Sequence, residues 1–156
     1  MARLAGEVGM RRAEVAQCHR DDLIRDAQGW ALIVHGKGGK QRVVPATDDL
    51  ANEILRFCPA GYLFPSRDQW GNLLAPHVSA HHVGKLISAL MPPGWSMHKL
   101  RHRYASLGYA GTRDLIAVKE ALGHESVATT QIYVASVRDA VRAVSEAAAH
   151  RPKSRQ

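Results

Sequence analysis

The sequence predicts an α+β fold, mainly α-helical with a small antiparallel β-sheet. Three observations carry this expectation. Apolar residues recur at helical spacing along most of the chain after residue 47. Two short runs that suit strands, Trp30–Val34 and Gln41–Pro45, flank the glycine-rich stretch His35-Gly-Lys-Gly-Gly-Lys40. The 156 residues, 46% of them hydrophobic, suit one domain with a core of its own.

In chain order, Ala2–Val8 suits a short helix that Gly9 interrupts. Met10–Ala16 suits a second, with Met10, Ala13 and Val15 or Ala16 turned inward. Asp21–Gly29 is polar and turn-rich. The hairpin follows, with lysine at its tip. Thr47 is the expected N-cap of a helix running to about Phe57, its apolar stripe being Leu50, Ile54, Leu55 and Phe57. Tyr62–Phe64 is a short extended piece, and 66–76 is expected to be a loop. Val78–Leu90 should be helical, with Val83, Leu86, Ile87 and Leu90 buried. Ser96 is expected to cap a helix through Tyr109. Thr112 should cap another, in which Leu115, Ile116, Val118 and Leu122 face the core and Gly123 ends the element. A short helix from Ser126 to Val134 and a last amphipathic one bearing Val137, Val141 and Val144 complete the chain. The tail from His150 to Gln156 is basic and expected to be flexible.

The formal net charge of +7 favours a polyanionic partner, nucleic acid or an anionic membrane surface, although a merely basic soluble protein also fits. Cys18 and Cys58 are the only cysteines, and they read as reduced thiols. There is no apolar leader stretch and no apolar run of membrane-spanning length, so a soluble, cytoplasmic protein is expected.

Four stretches carry possible chemistry. In His98-Lys-Leu-Arg101-His102, residues three apart share a helix face, so His98 and Arg101 lie side by side. A histidine moves protons near neutral pH, and an arginine fork fits phosphate oxygens. A solvated basic face is the plainer reading. In the run from Leu122 to Tyr133, Gly123 lets a helix end, His124 follows, and Tyr133 comes nine residues later. A phenol with a pKa near 10 is a weak nucleophile unless cations stabilise its oxyanion, and most tyrosines only pack. Arg11 stands at a helix start, with Glu14 one turn on to pair with an arginine. Lys37, on a glycine-rich hairpin tip, can swing toward a ligand. No helix follows that tip in the manner of a phosphate-binding loop, which removes a nucleotide triphosphatase reading.

Each piece is weak alone, but their order is informative. GMRRAE at 9–14, HGKGGKQRVVP at 35–45, HKLRHRYAS at 98–106 and LGHESVATTQIYV at 122–134 together resemble the tyrosine recombinase, or phage integrase, family. The last two blocks are the specific ones. The resemblance covers nearly the whole chain and implies that family's catalytic-domain fold over residues 1–149, with 150–156 as the tail. It also implies roles. Arg11 and Arg101 would grip the scissile phosphate, and Lys37 would protonate the leaving 5′ oxygen. His98 would assist proton removal from Tyr133, and His124 would donate a hydrogen bond to the phosphate. Tyr133 would attack to form a 3′-phosphotyrosyl link. Lys40 and Arg42 are candidate DNA-phosphate contacts, with a solvated hairpin face as the alternative. Fixed cations stabilise the charge that gathers in phosphoryl transfer, so neither metal nor ATP is needed and no cofactor is expected.

The implied partner is a double-stranded DNA attachment site. The implied assembly is a homo-tetramer on DNA through exchange of the C-terminal helix, with a monomer or mixture when free, and a nucleoid-associated location. Only ten residues precede Arg11, so the chain is expected to be an N-terminally shortened catalytic domain without the core-binding domain. His77, His81, His82 and the pair His98 and His102 have spacings that can bind zinc, but the usual companion motifs are missing and no metal site is expected. Trp30, Trp70 and Trp95 are expected to pack. Two alternatives stay open. A type IB topoisomerase shares the tyrosine chemistry, although the place of His98 resembles the recombinases better. A non-enzymatic DNA-binding remnant would keep the motifs without the reaction.

Overall fold

The computed structural model of the chain describes residues 1–123. Two short helices open it, α1 (Ala2–Glu7) and α2 (Arg12–Ala16). Leu4, Ala5, Val8 and Met10 are buried along this first turn of chain. Arg3 pairs with Glu7 on its own helix and with Asp49 and Glu53 on the third, which ties the two elements at the surface. Ala13, expected inside, is exposed. The inward face of α2 is Glu14, Val15 and Ala16, because a buried carboxylate rather than a methyl group turns toward the neighbouring arginines.

Strands β1 (Leu23–Asp26), β2 (Gly29–His35) and β3 (Gln41–Pro45) form an antiparallel sheet in that order. Leu23 opposes Leu32, which opposes Val44, and all three are buried. The expected hairpin is thus β2 and β3, with a one-turn 3₁₀ segment, Lys37–Gly39, at its tip. The stretch read as polar turn contains an extra strand. Only Leu23 of β1 is fully buried, so an edge strand with one anchored end lacks the alternation that marks strands in sequence.

Helix α3 (Asp48–Phe57) starts where expected, with Thr47 Oγ1 accepting from the Leu50 amide at 3.2 Å. Leu50, Ala51 and Ile54 face inward, whereas Phe57 is 66% exposed. The expected loop at 66–76 holds a small hairpin of β4 (Ser66–Arg67) and β5 (Leu73–Ala75). The Asp68 carboxylate closes its turn by accepting from the amides of Trp70 and Asn72, and Trp70 stands out in solvent, not packed. Helix α4 (Ala80–Leu90) buries Val83 and Ile87 but leaves Leu90 exposed.

Helix α5 (Met97–Thr112) begins at the expected Ser96 cap and runs three residues longer than the sequence suggested. Thr112 belongs to its last turn, where its hydroxyl donates to Gly108 O. The cap of α6 (Leu115–Leu122) is instead Asp114, which accepts from the amides of Ile116 and Ala117, and Ile116 faces out. Gly123 ends α6 in the left-handed conformation, as expected.

The main core joins α1, α2, the sheet, α3, α4 and the start of α5, and a smaller one forms between α5 and α6. Cys18 is in the main core, where burial and the Asp22 carboxylate push its thiol up to about 12; both cysteines are free. No helix among the described residues is long and apolar enough to cross a membrane. The elements expected after residue 124, the basic tail included, lie outside the described residues.

Candidate active site

The site is built around one carboxylate. Glu14, 3% exposed in its side chain, accepts from Arg42 through both oxygens at 2.9 and 2.8 Å. It also accepts from the Arg11 guanidinium at 2.8 Å and the Arg11 backbone amide at 2.7 Å. Arg101 stands 3.8 Å from the same carboxylate. Burial by itself pushes the Glu14 carboxyl up. The hydrogen bonds from Arg42 and Arg11 and the nearby positive charge outweigh it, leaving the carboxyl lowered to about 2. At neutral pH this is an anion that holds three cations together.

The same arginines close the end of α6. Arg42 Nε donates to Ala121 O at 2.8 Å, Arg101 to Leu122 O at 2.6 Å and Arg11 to Gly123 O at 3.1 Å. The last carbonyls of a helix have no partners within it and carry its partial negative charge, so three guanidinium groups satisfy both needs there. Arg101 also donates to Gly9 O. Gly9 has φ +70°, and a Cβ on it would lie 2.6 Å from the Tyr104 ring, so only glycine lets the chain pass Tyr104 and present that carbonyl. Burial raises the Tyr104 phenol.

Beside this cluster opens a cleft of about 730 Å³ between α2, α4 and α5. Arg11, His98 and Arg101 line it, drawn from two chain segments far apart, the start of α2 and the first turns of α5. His98, exposed at the start of α5, faces His102 one turn on, with 2.8 Å between their Nε2 atoms. Arg12 of α2 and His81 and Lys85 of α4 extend the basic lining. The Arg12 side chain lies across Gly84, where a Cβ would come within 3.1 Å of its guanidinium.

Lys37 is exposed at the hairpin tip and does not line the cleft. The base of the hairpin approaches the arginine cluster, since a Cβ on Gly36 would lie 3.9 Å from Glu14 Oε1. His35 anchors that base: its Nε2 is 2.7 Å from Asp22 Oδ1, while Gln41 reaches its Nδ1 at 3.2 Å. Lys40 is exposed next to the tip. Arg42 does not stand on a solvated hairpin face. Its side chain is 12% exposed, and three of its donors bind Glu14 and Ala121 inside the protein. It sits on β3 where the side chain turns toward α2 and α6, so it holds the cluster together. His124 and Tyr133 lie outside the described residues. Among the described residues no group of three or more histidine, cysteine or acidic side chains is placed to hold a metal.

Sequence reasoning missed the second task of the arginines at the end of α6 and the basic extension of the cleft along α4. The signal for the extension was the spacing of His81 and Lys85, one turn apart on an amphipathic helix.

The model of the phage integrase family matches residues 1–139. The chain belongs to the phage integrase family, the tyrosine recombinases. Among curated members of the family, a tyrosine recombinase XerC of Bradyrhizobium diazoefficiens is 34% identical over 142 residues, spanning 85% of this chain and 43% of that protein. A XerD of Mycobacterium leprae is 31% identical over 159 residues, spanning 93% of this chain and 50% of the relative. This tyrosine recombinase chain therefore spans about half the length of the curated relatives it matches. Among solved structures, XerH bound to its difH substrate superposes with a TM-score of 0.69 at 24% identity, over 96% of this chain and 46% of the other. The integrase of mycobacterium phage Brujita gives 0.61 at 26% identity, over 92% and 48%. The mainly helical fold with small antiparallel sheets is that of tyrosine recombinase catalytic domains.

Proposed function

We propose that this chain is the catalytic domain of a site-specific DNA recombinase that breaks and rejoins strands through a 3′-phosphotyrosyl intermediate. The observation that carries the reading is the meeting of Arg11, His98 and Arg101 on one basic cleft, with a buried carboxylate fixing the arginines from behind. In the proposed reaction Arg11 and Arg101 hold the non-bridging oxygens of the scissile phosphate, with His124 as a further donor. Tyr133 gives its proton to His98 and attacks phosphorus. A P–O bond forms to the phenol oxygen as the bond to the 5′ oxygen breaks, and Lys37 supplies the proton to that leaving oxygen. The 5′ hydroxyl of a second strand then attacks the link, restoring the tyrosine and exchanging strands. The transition state gathers negative charge on phosphate oxygens, and preorganised cations in a cleft stabilise it.

Lys37 and Lys40 fit this scheme from the hairpin, Lys40 as a contact to the DNA backbone. Arg12 and Lys85 extend the phosphate-binding surface away from the reacting centre. The substrate in this reading is a double-stranded attachment site, bound by four copies that exchange C-terminal helices. XerH, a site-specific recombinase of the same fold, is solved bound to its difH substrate, in keeping with a DNA substrate for this chain.

A nicked suicide substrate, whose cleaved end diffuses away, tests the reading. The wild-type chain should accumulate a covalent protein–DNA adduct, and Tyr133→Phe should form none. Equal adduct from both proteins would remove Tyr133 from its role, and relaxation of supercoiled plasmid without site dependence would favour a topoisomerase instead.

A further inference from the structure

We propose that Arg12, seated on Gly84 of α4, holds the backbone phosphate next to the scissile one, and so sets which phosphate of a strand enters the site of Arg11 and Arg101. The inference rests on the function proposed above and deepens it. The basic cleft becomes a site for two consecutive phosphodiesters.

The seat is built into α4. Gly84 lies in the middle of this helix, and its φ is not positive, so the backbone itself does not call for glycine there. Glycine is a poor helix former, and its presence weakens the element. The space it leaves open is filled from α2: a Cβ would come within 3.1 Å of Arg12 Nη1 and 3.2 Å of Arg12 Cδ. His81, Gly84, Lys85 and Ser88 fall at helical spacing on one stripe, and all four line the cleft, while Val83 and Ile87 are buried on the other side. The arginine therefore lies across the helix at the one point where the stripe has no side chain.

Arg12 is exposed, and among the described residues its guanidinium makes no hydrogen bond or ion pair. Its neighbour Arg11 gives one nitrogen to Glu14 and another to Gly123 O. A fork already laid in one place loses less freedom when a ligand binds it than one sweeping through solvent. The lining decides the ligand. Around Arg12 stand His81, Lys85, Ser88 and Ser96, with no carboxylate and no amide side chain among the described residues of the cleft. Base edges are read with amides on adenine and carboxylates on cytosine, whereas a wall of cations matches phosphate oxygens. Arg11 turns toward Glu14 and the end of α6, and Arg12 turns toward α4. Two forks from consecutive residues, turned apart in one cleft of about 730 Å³, suit two phosphates one nucleotide apart. A strand held at both cannot slide by one nucleotide without losing a charge-assisted contact, so cleavage keeps one register.

The test uses the full chain and three thymidine oligomers at low salt: TpT with one phosphodiester, TpTpT with two, and TpTpT with one linkage replaced by a neutral methylphosphonate. Amide shifts in ¹⁵N spectra follow binding without any need for activity. TpTpT should bind the wild type on the order of ten-fold more tightly than TpT, as one further charge-assisted contact implies. The neutral linkage should return the affinity to that of TpT. Arg12→Ala should cut the gain to about the two-fold that two equivalent phosphates give by number alone. Gly84→Leu keeps every charge, fills the seat and favours the helix, so it should remove the gain while the melting temperature stays level or rises. A structural defect would move both in the same direction. If Gly84→Leu folds poorly, Arg12→Ala, which removes only an exposed side chain, carries the comparison.

A gain that survives Arg12→Ala overturns the proposal, and so does TpTpT binding no more tightly than TpT. A gain that survives the neutral linkage also overturns it, since Arg12 would then hold a base or a sugar. In the Arg12→Ala background TpT reports the remaining seat, and adding Arg11→Ala should weaken it. If that second change leaves TpT binding as it was, the phosphate site of the proposed reaction falls, while the seat on Gly84 stands on the TpTpT gain. Weakened TpT binding together with no gain from the second phosphodiester brings down this inference alone.

Discussion

Replacing Glu14 with glutamine should cost more than any surface pair of this protein, because the group lost is buried and holds three cations. The wild-type carboxyl is lowered from its ordinary 4.5 to about 2. At about 1.36 kcal/mol per pKa unit, that shift corresponds to about 3 kcal/mol of stability. The sign follows from linkage. A carboxylate lowered in the folded state contributes in full above the unfolded value of 4.5, and its contribution fades as pH falls toward about 2. Glutamine keeps one acceptor but removes the charge, leaving Arg101 at 3% exposure and Arg42 at 12% without their anion. Arg11, at 42% exposure, recovers much of its loss from water. Urea unfolding at pH 7, followed by tryptophan fluorescence, should show the variant destabilised by about 3 kcal/mol, which for a chain of this size lowers the melting temperature by roughly 6–12 °C. Repeated at pH 3, the gap between the proteins should narrow, since the wild type has by then lost part of the contribution. A gap under about 1 kcal/mol at pH 7, or one that stays constant between pH 7 and 3, would refute the argument that this carboxylate organises the site.

Two further outcomes follow from the same geometry. Gly9→Ala forces a left-handed backbone on a residue with a Cβ, at about 1–2 kcal/mol, and drives that atom into the Tyr104 ring, for about 1–3 kcal/mol more. Thermal melts should show the loss, and adduct formation should fall with it because the backbone carbonyl oxygen of Gly9, which accepts from Arg101, moves; an unchanged melt would mean that Tyr104 yields easily. Lys85→Ala should weaken binding of duplex DNA about uniformly across sequences and lower the salt slope of the binding constant by about 1, as read by fluorescence anisotropy over a salt series. A slope that does not change would take Lys85 off the DNA path.

What the sequence made legible follows the range of the forces involved. Caps act within one turn, so Thr47 and Ser96 could be read directly. Thr112 and Asp114 both suit a cap, and the choice fell to Asp114 because Thr112 Oγ1 donates backward to Gly108 within α5. Helical stripes were read well at their centres, as with Val83 and Ile87, and poorly at their ends, as with Phe57 and Leu90, where the core curves away from the helix. Strand β1 was missed because its partner lies across a turn and only one of its residues needs burial.

The arginines show why motif order reveals more of a site than residue type does. Arg11, Arg42 and Arg101 are the same side chain, and nothing local separates an arginine that lines the cleft from one that supports it. The distinction arises from where each guanidinium meets Glu14 and the last carbonyls of α6. Arg42 approaches from the sheet, with its donors turned inward, whereas Arg11 and Arg101 meet the carboxylate from the cleft side and line the opening. A single anion thus sorts three identical cations into two jobs by the direction from which each reaches it. That sorting is a tertiary property, and it makes Glu14 the residue on which the geometry of the pair lining the cleft, Arg11 and Arg101, depends.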